Sequence, residues 1–431
     1  MSNMKDSGIA WVGEYPEHWE SKRGKYLLRL LQKPVKDGDG VITCFRDGEV
    51  TLRSNRREEG FTIAEKEHGY QGVDVGDLVV HGMDGFAGAI GISDSRGKSS
   101  PVLNILDTIL DKKYTMYYLR SVAYGNVFLA LATGIRVRSC DLRWNKLAEL
   151  RFPVPPVEEQ RAIANFLDSK CAEIDALMED IRAEISTLEE YKKSVITEAV
   201  TKGLNPDAEM KDSGIAWVGK CPEHWKILKI RDSISKIESG VSVNAASYPA
   251  GDNEIGVLKT SCVSKYIFDA RENKAVNKNE ESRVSCPVRK GCIIVSRMNT
   301  PDLVGACGYV AEEVNGIYLP DRLWQVHVKT TYSAQYVTYY LMSHIARSYY
   351  ASIAVGTSST MQNISQKEFG CMFFCVPEIE EQQAIADYLD AKCDEIAATI
   401  AEKQKQLTTL EEYKKSLIYE YVTGKKEVPT L

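Results

Sequence analysis

Arginine, amide and hydroxyl side chains supply the strongest candidate chemistry in this sequence. Arg46, Arg53, Arg56 and Arg57 crowd into FRDGEVTLRSNRREEG, and Arg136, Arg138 and Arg143 into a second stretch. Arginine holds phosphate oxygens, or grips the O6/N7 edge of guanine with two parallel hydrogen bonds. Further along, Arg297, Asn299 and Thr300 lie in SRMNT, and Ser358, Ser359 and Gln362 in GTSSTMQN. Gln and Asn pair with adenine, and Ser and Thr with several bases. His81, Met83 and Asp84 at the end of VGDLVVHGMD, with Lys259 and Arg322, complete the set of candidate DNA contacts. For any single arginine the competing reading is a solvated surface charge. The clusters as a set favour nucleic acid.

Catalytic chemistry is poorly supplied. Gly82, Gly85 and Gly88 are spaced like a phosphate loop but lack the strand–loop–helix context, so they read as a glycine-rich strand turn. No Gly-rich methyltransferase cofactor loop and no Asn/Asp-Pro-Pro-aromatic motif is present. The acids of PDAEMK near Asp207 have no counterpart in SNMK near Met4, which argues against a nuclease centre there. His18 and His224 recur in PEHW and read as turn histidines packed on Trp19 and Trp225. Eleven cysteines form no CxxC pair, and the nearest two, Cys371 and Cys375, have no histidine close in sequence; reduced thiols and no bound metal are expected. The expectation is a non-catalytic chain with no cofactor of its own.

These residues sit in a duplicated framework. Residues 4–20 and 210–226 share fourteen of seventeen identities at an offset of 206, in MKDSGIAWVG–PEHW. EQ-AIA, LD-KC and LEEYKKS recur at an offset of 222. Two tandem modules follow, each a lead segment, a globular domain and a long helix. The proposed boundaries are 1–157, 158–203, 204–377 and 378–424, with a tail at 425–431. By this symmetry the two chain ends should lie together.

The helical stretches contain no Pro or Gly from Glu158 to Lys202. Leu167, Ile174, Ile181, Leu188 and Val195 recur every seventh residue, with Cys171, Met178, Ile185 and Ala199 four later. Leu389, Ile396, Leu410 and Leu417, with Cys393, Ile400, Leu407 and Tyr421, repeat this in the second copy. That pattern is a coiled-coil seam, and the economical partner for each helix is the other. Lys192 and Lys414 occupy equivalent polar seam positions and are expected to set the antiparallel register. The net charge of −6 is concentrated here: residues 158–203 hold 11 acidic against 6 basic side chains, and residues 378–431 hold 12 against 7.

In the first globular part, residues 41–45, 76–81 and 89–93 read as strands and residues 114–131 as one helix. No run of eighteen apolar residues predicts a membrane span, and the N-terminal residues show no apolar secretory core. A cytoplasmic location is expected. The fold class expected is α+β: two pseudo-symmetric α/β domains separated by two long antiparallel helices forming a coiled coil.

Taken together, the duplicated GIAWVG–PEHW segments, the GDLVVHGMDGFAGAIGIS and GCIIVSRMNTPDLVGACGYV strands, the PVPPVEEQRAIA and VPEIEEQQAIADYLD junctions and the two LEEYKKS helices span essentially the whole chain. The chain resembles the specificity (S) subunit of type I restriction–modification systems. The resemblance implies two target-recognition domains, each reading half of a bipartite DNA site in the major groove. It also implies two modification (M) subunits that bind S-adenosylmethionine and methylate adenine. Restriction (R) subunits, with ATP and Mg²⁺, would translocate and cleave DNA. One departure is visible: family strands often carry Arg after the apolar run, as at Arg297, whereas here Gly82 follows His81. Two rival readings are an enzyme with a diverged nuclease or methyltransferase site, and a coiled-coil scaffold that binds only protein.

Overall fold

The computed structural model describes residues 3–56, 67–130, 142–358 and 361–429. The chain divides into two compact units: Met1–Ile181 with Gln404–Leu431, and Arg182–Lys403.

The core of unit 1 is a four-stranded antiparallel sheet in the order Leu28–Leu30, Leu103–Thr108, Leu78–His81, Ile90–Ile92. Side chains alternate across such a sheet. Leu78, Val80, Ile90 and Leu106 pack with the Tyr114, Tyr118 and Val122 side of a helix. Val79, Leu103 and Ile105 pack with Ile42, Cys44, Val50 and Val73. Burial on both faces is why LVV reads as an unbroken apolar run rather than an alternation.

Unit 2 repeats the plan. Its sheet runs Ile234–Ser239, Leu323–Val328, Ile293–Ser296, Cys307–Tyr309, the same order of equivalent strands. Ile293 and Val295 face one apolar cluster, Ile294 and Leu323 another. The two apolar runs singled out in the sequence are therefore the same inner strand of the same sheet.

The helix expected over residues 114–131 is two helices in the structure. Lys112–Tyr124 is capped by Asp111, whose carboxylate accepts the Tyr114 N–H at 3.0 Å. It stops at Gly125, and Asn126 adopts φ 59°, so the chain turns before Val127–Ala130. The apolar periodicity continues across this break, which is why it reads as one element.

The first long helix is Val157–Lys202 and the second Ile379–Val422, 46 and 44 residues. Each ends at a glycine with positive φ, Gly203 and Gly424. In unit 1, Leu167, Cys171, Ile174 and Met178 of the first helix share a core with Leu417 and Tyr421 of the second. In unit 2, Ile196, Ala199 and Val200 share one with Ile385, Leu389 and Cys393. The start of each helix thus meets the end of the other, an antiparallel coiled coil. One seam position departs from the heptad. Val195 is half-buried and its neighbour Ile196 is buried instead. A straight helix at 3.6 residues per turn drifts about 20° per heptad away from a 3.5-residue repeat.

The seam lysines divide their work differently from the symmetric expectation. Lys414 Nζ reaches both carboxylate oxygens of Asp175, at 2.6 and 2.7 Å. The residue equivalent to Asp175 in the other copy is Ala397. Among the described residues no carboxylate forms an ion pair with Lys192. In unit 2 Lys403 pairs with Glu184 instead.

The shared sequence motifs build one clamp, present in each unit. In unit 1 Glu159, near the start of the first long helix, accepts from His18 Nε2 at 2.7 Å and from Trp19 Nε1 at 2.8 Å. Gln160 accepts the Asp111 N–H at 2.8 Å and donates to the Pro155 carbonyl. The Tyr114 hydroxyl donates to the carbonyls of Pro153 and Val422. Unit 2 repeats each bond: His224 and Trp225 on Glu381, Ser333 N–H and Pro377 O on Gln382, and Tyr336 on the carbonyls of Cys375 and Val200. Burial holds both tyrosine phenols well above their usual pKa, so they remain donors. The PEHW histidines are turn residues at the edge of their tryptophan rings, and the structure adds their helix-directed hydrogen bond. Segments near the two ends of the chain meet in unit 1, where Lys425 Nζ donates to Glu14 O at 2.6 Å.

Candidate nucleic-acid interface

In unit 1 the strand Leu78–His81 runs into the turn Gly82–Gly88. The GxxGxxG stretch is a strand turn, with a short helical turn at Gly85–Ala87 and Gly88 at φ 96°. His81 shapes it. Its Nδ1 accepts the backbone N–H groups of Met83 (3.2 Å) and Asp84 (3.0 Å). Burial holds the imidazole below its ordinary pKa; Asp84 opposes that shift and Arg46 adds to it. Arg46 donates to Asp84 at 2.8 Å. Met83, 49% exposed, stands at the tip. Of the expected DNA contacts here, His81 Nδ1 and the Asp84 carboxylate make bonds within the protein.

This arrangement has a pH consequence. The unfolded imidazole protonates near its ordinary 6.5, and the folded one only at lower pH. The unfolded state therefore binds more protons as pH falls below about 6.5, and stability falls with it. His81→Asn keeps a side-chain acceptor for the turn without titrating. Its urea midpoint is expected to fall less than wild type between pH 7.5 and 5.5; parallel losses would remove His81 as the cause.

The first arginine cluster is largely engaged. Arg56 pairs with Asp47 and with Glu49 (3.1 Å), and its guanidinium lies 4.2 Å from the Phe45 ring centroid. Arg53 Nε donates to Thr43 at 3.3 Å. Arg143 is exposed at the start of the short helix Trp144–Glu149. Arg57, Arg136 and Arg138 lie outside the described residues.

Unit 2 gathers more of its candidates. The strand Met298–Asn299 pairs with Met361–Asn363, placing Asn299 opposite Gln362. Arg297 donates its backbone N–H to Arg322 O, and its carbonyl accepts from Ile364 N, both at 3.1 Å. So Arg297, Arg322, Asn299, Gln362 and exposed Thr300 converge at one end of the sheet. Asn299 is anchored within its turn: its amide donates to Ser296 Oγ (3.1 Å) and accepts the Thr300 N–H (2.9 Å). Lys259 is elsewhere, paired with Glu272 at 2.8 Å. Ser358 ends the strand Val355–Ser358, and Ser359 lies outside the described residues. Asn363 was missed. Its Oδ1 is buried with no partner among the described atoms, and nothing in MQN distinguishes it from its neighbour.

Residues 222–409 match the family model of the type I restriction modification DNA specificity domain. A type I restriction enzyme specificity subunit of Methanocaldococcus jannaschii, designated MjaX, is 24% identical over 97% of this chain and 96% of its own. The EcoKI specificity subunit of Escherichia coli is 22% identical over 87% of this chain and 82% of its own. A solved chain from work on complex assembly and conformational transition of the type I R-M system superposes with TM-score 0.68 at 14% identity. That match covers 95% of this chain and 98% of the other, and it shows a shared fold.

Proposed function

We propose that this chain is a type I restriction–modification specificity subunit, on its similarity to that family's DNA specificity domain and to the MjaX subunit, and that each unit reads one half of a split DNA target. The observation that carries this is the polar cluster of unit 2. One scaffold is built twice, yet Arg297, Arg322, Asn299 and Gln362 converge at a sheet end whose equivalent in unit 1 holds His81, Met83 and Asp84. Like scaffolds with unlike loops suit two readers of different sequences.

The long helices set the spacer between half-sites, and their acidic outer faces dock two M subunits. The chain is itself non-catalytic. S-adenosylmethionine is bound by the M subunits, and ATP with Mg²⁺ by R subunits. The complex works in the cytoplasm.

The test is selection of DNA by the purified complex from a random pool. A bipartite motif with a fixed unread spacer is expected. Enrichment of no sequence would favour a protein-binding scaffold. Cleavage, or labelling from S-adenosylmethionine, by this chain alone would favour an enzyme.

A further inference from the structure

The cationic side chains expected at DNA differ in what they already hold. Arg46 is on Asp84, Arg56 on Asp47 and Glu49, and Lys259 on Glu272. Arg297 and Arg322 have no ion pair among the described residues. They are backbone neighbours, linked by the Arg297 N–H to Arg322 O bond.

Their surroundings differ in a way that assigns roles. Arg297 is half-buried, and its backbone is held from both sides, by Arg322 and by Ile364. Its guanidinium carbon lies 6.0 Å from the ring centroid of Trp324, itself 2% exposed. Its Nε is buried and receives no acceptor from the described atoms. An arginine whose backbone is held on both sides, with its guanidinium beside a buried ring, has less freedom to lose on making two parallel hydrogen bonds. Such bonds fit the O6 and N7 acceptors of guanine in the major groove. Arg322 is exposed and has no such ring contact among the described residues. An exposed cation suits a phosphate, which carries charge but no sequence information.

Resting on the reading that this chain recognises DNA, we propose that Arg297 specifies a guanine in the half-site of unit 2, while Arg322 holds a neighbouring phosphate. Asn299 already gives one amide N–H and one carbonyl lone pair to its own turn.

The experiment is motif selection from random DNA by the complex with its methyltransferase partner, carrying Arg297→Met or Arg322→Ala. Methionine keeps apolar bulk beside Trp324. Arg297→Met is expected to relax one G·C position in one half-site by roughly 10- to 100-fold. An intact second half-site reports that the protein is folded and assembled. Arg322→Ala is expected to weaken binding to all sequences alike and to lower the salt slope by about one. Relaxation at an A·T pair, relaxation nowhere, or uniform weakening by Arg297→Met would overturn the guanine assignment. Wild type enriching no motif would instead defeat the DNA-reading function itself.

Discussion

Trp225→Ala is expected to lower the stability of unit 2 by about 3–5 kcal/mol, the range for removing a large aromatic side chain from a core. Trp225 is fully buried and lies edge-on to Tyr336, with ring centroids 6.5 Å apart. Its Nε1 donates to Glu381 at 3.1 Å, so alanine leaves both a cavity and a carboxylate short of one donor. The loss propagates along one chain of bonds. Tyr336 beside it donates to the carbonyls of Cys375, in the strand Phe373–Val376, and of Val200, at the end of the first long helix. Trp225→Phe keeps part of the volume and is expected to lose less. The measurement is guanidinium unfolding with transitions resolved by unit, since a chain of two units need not unfold in one step. A loss under about 1 kcal/mol would show that the clamp is peripheral to the core.

Inserting four residues into each long helix, after Ile181 and after Lys403, is expected to lengthen the spacer of the methylated motif while both half-sites stay the same. Four residues add roughly 6 Å of helix and about 40° beyond a full turn. At about 3.4 Å per base pair, that is close to two base pairs. Both helices must change because they pair antiparallel; a single insertion would shift Lys414 against Asp175 or Lys403 against Glu184. The readout is methylated adenines mapped in DNA exposed to the variant complex. An unchanged spacer with retained methylation rejects the helices as the ruler. A changed half-site would mean that the insertion reached the reading surfaces.

The duplication was legible because identical residues at fixed offsets need no structural knowledge to see. So were the long helices, which follow from 3.5-residue periodicity without Pro or Gly. The strands were legible in type but not in pairing. Nothing local in KGCIIVSRMN says that its neighbours are residues 323–328 on one side and 307–309 on the other. The helix break at Gly125–Asn126 was missed because apolar spacing persists through it.

The candidate site was less legible, for a definite reason. Arg46, Arg56 and Arg297 look alike in a sequence. Whether a guanidinium is available depends on carboxylates brought to it by folding: Asp84 lies 38 residues from Arg46, while Arg297 meets none among the described residues. Nothing local in the sequence shows that His81 Nδ1 accepts two backbone N–H groups of its own turn. The repeated PEHW, EEQ and Tyr motifs had no evident purpose until folding joined Glu159 to Trp19 across 140 residues.

The repeat, the helices, the apolar strands and the supply of base-reading side chains are legible in the residues alone, since all of these rest on composition and short-range period. Which of those side chains are already held within the protein depends on folding. Pairing between distant residues is a property of the folded chain, and among the described residues it separates Arg297 and Arg322, which meet no carboxylate, from Arg46 and Arg56, which do.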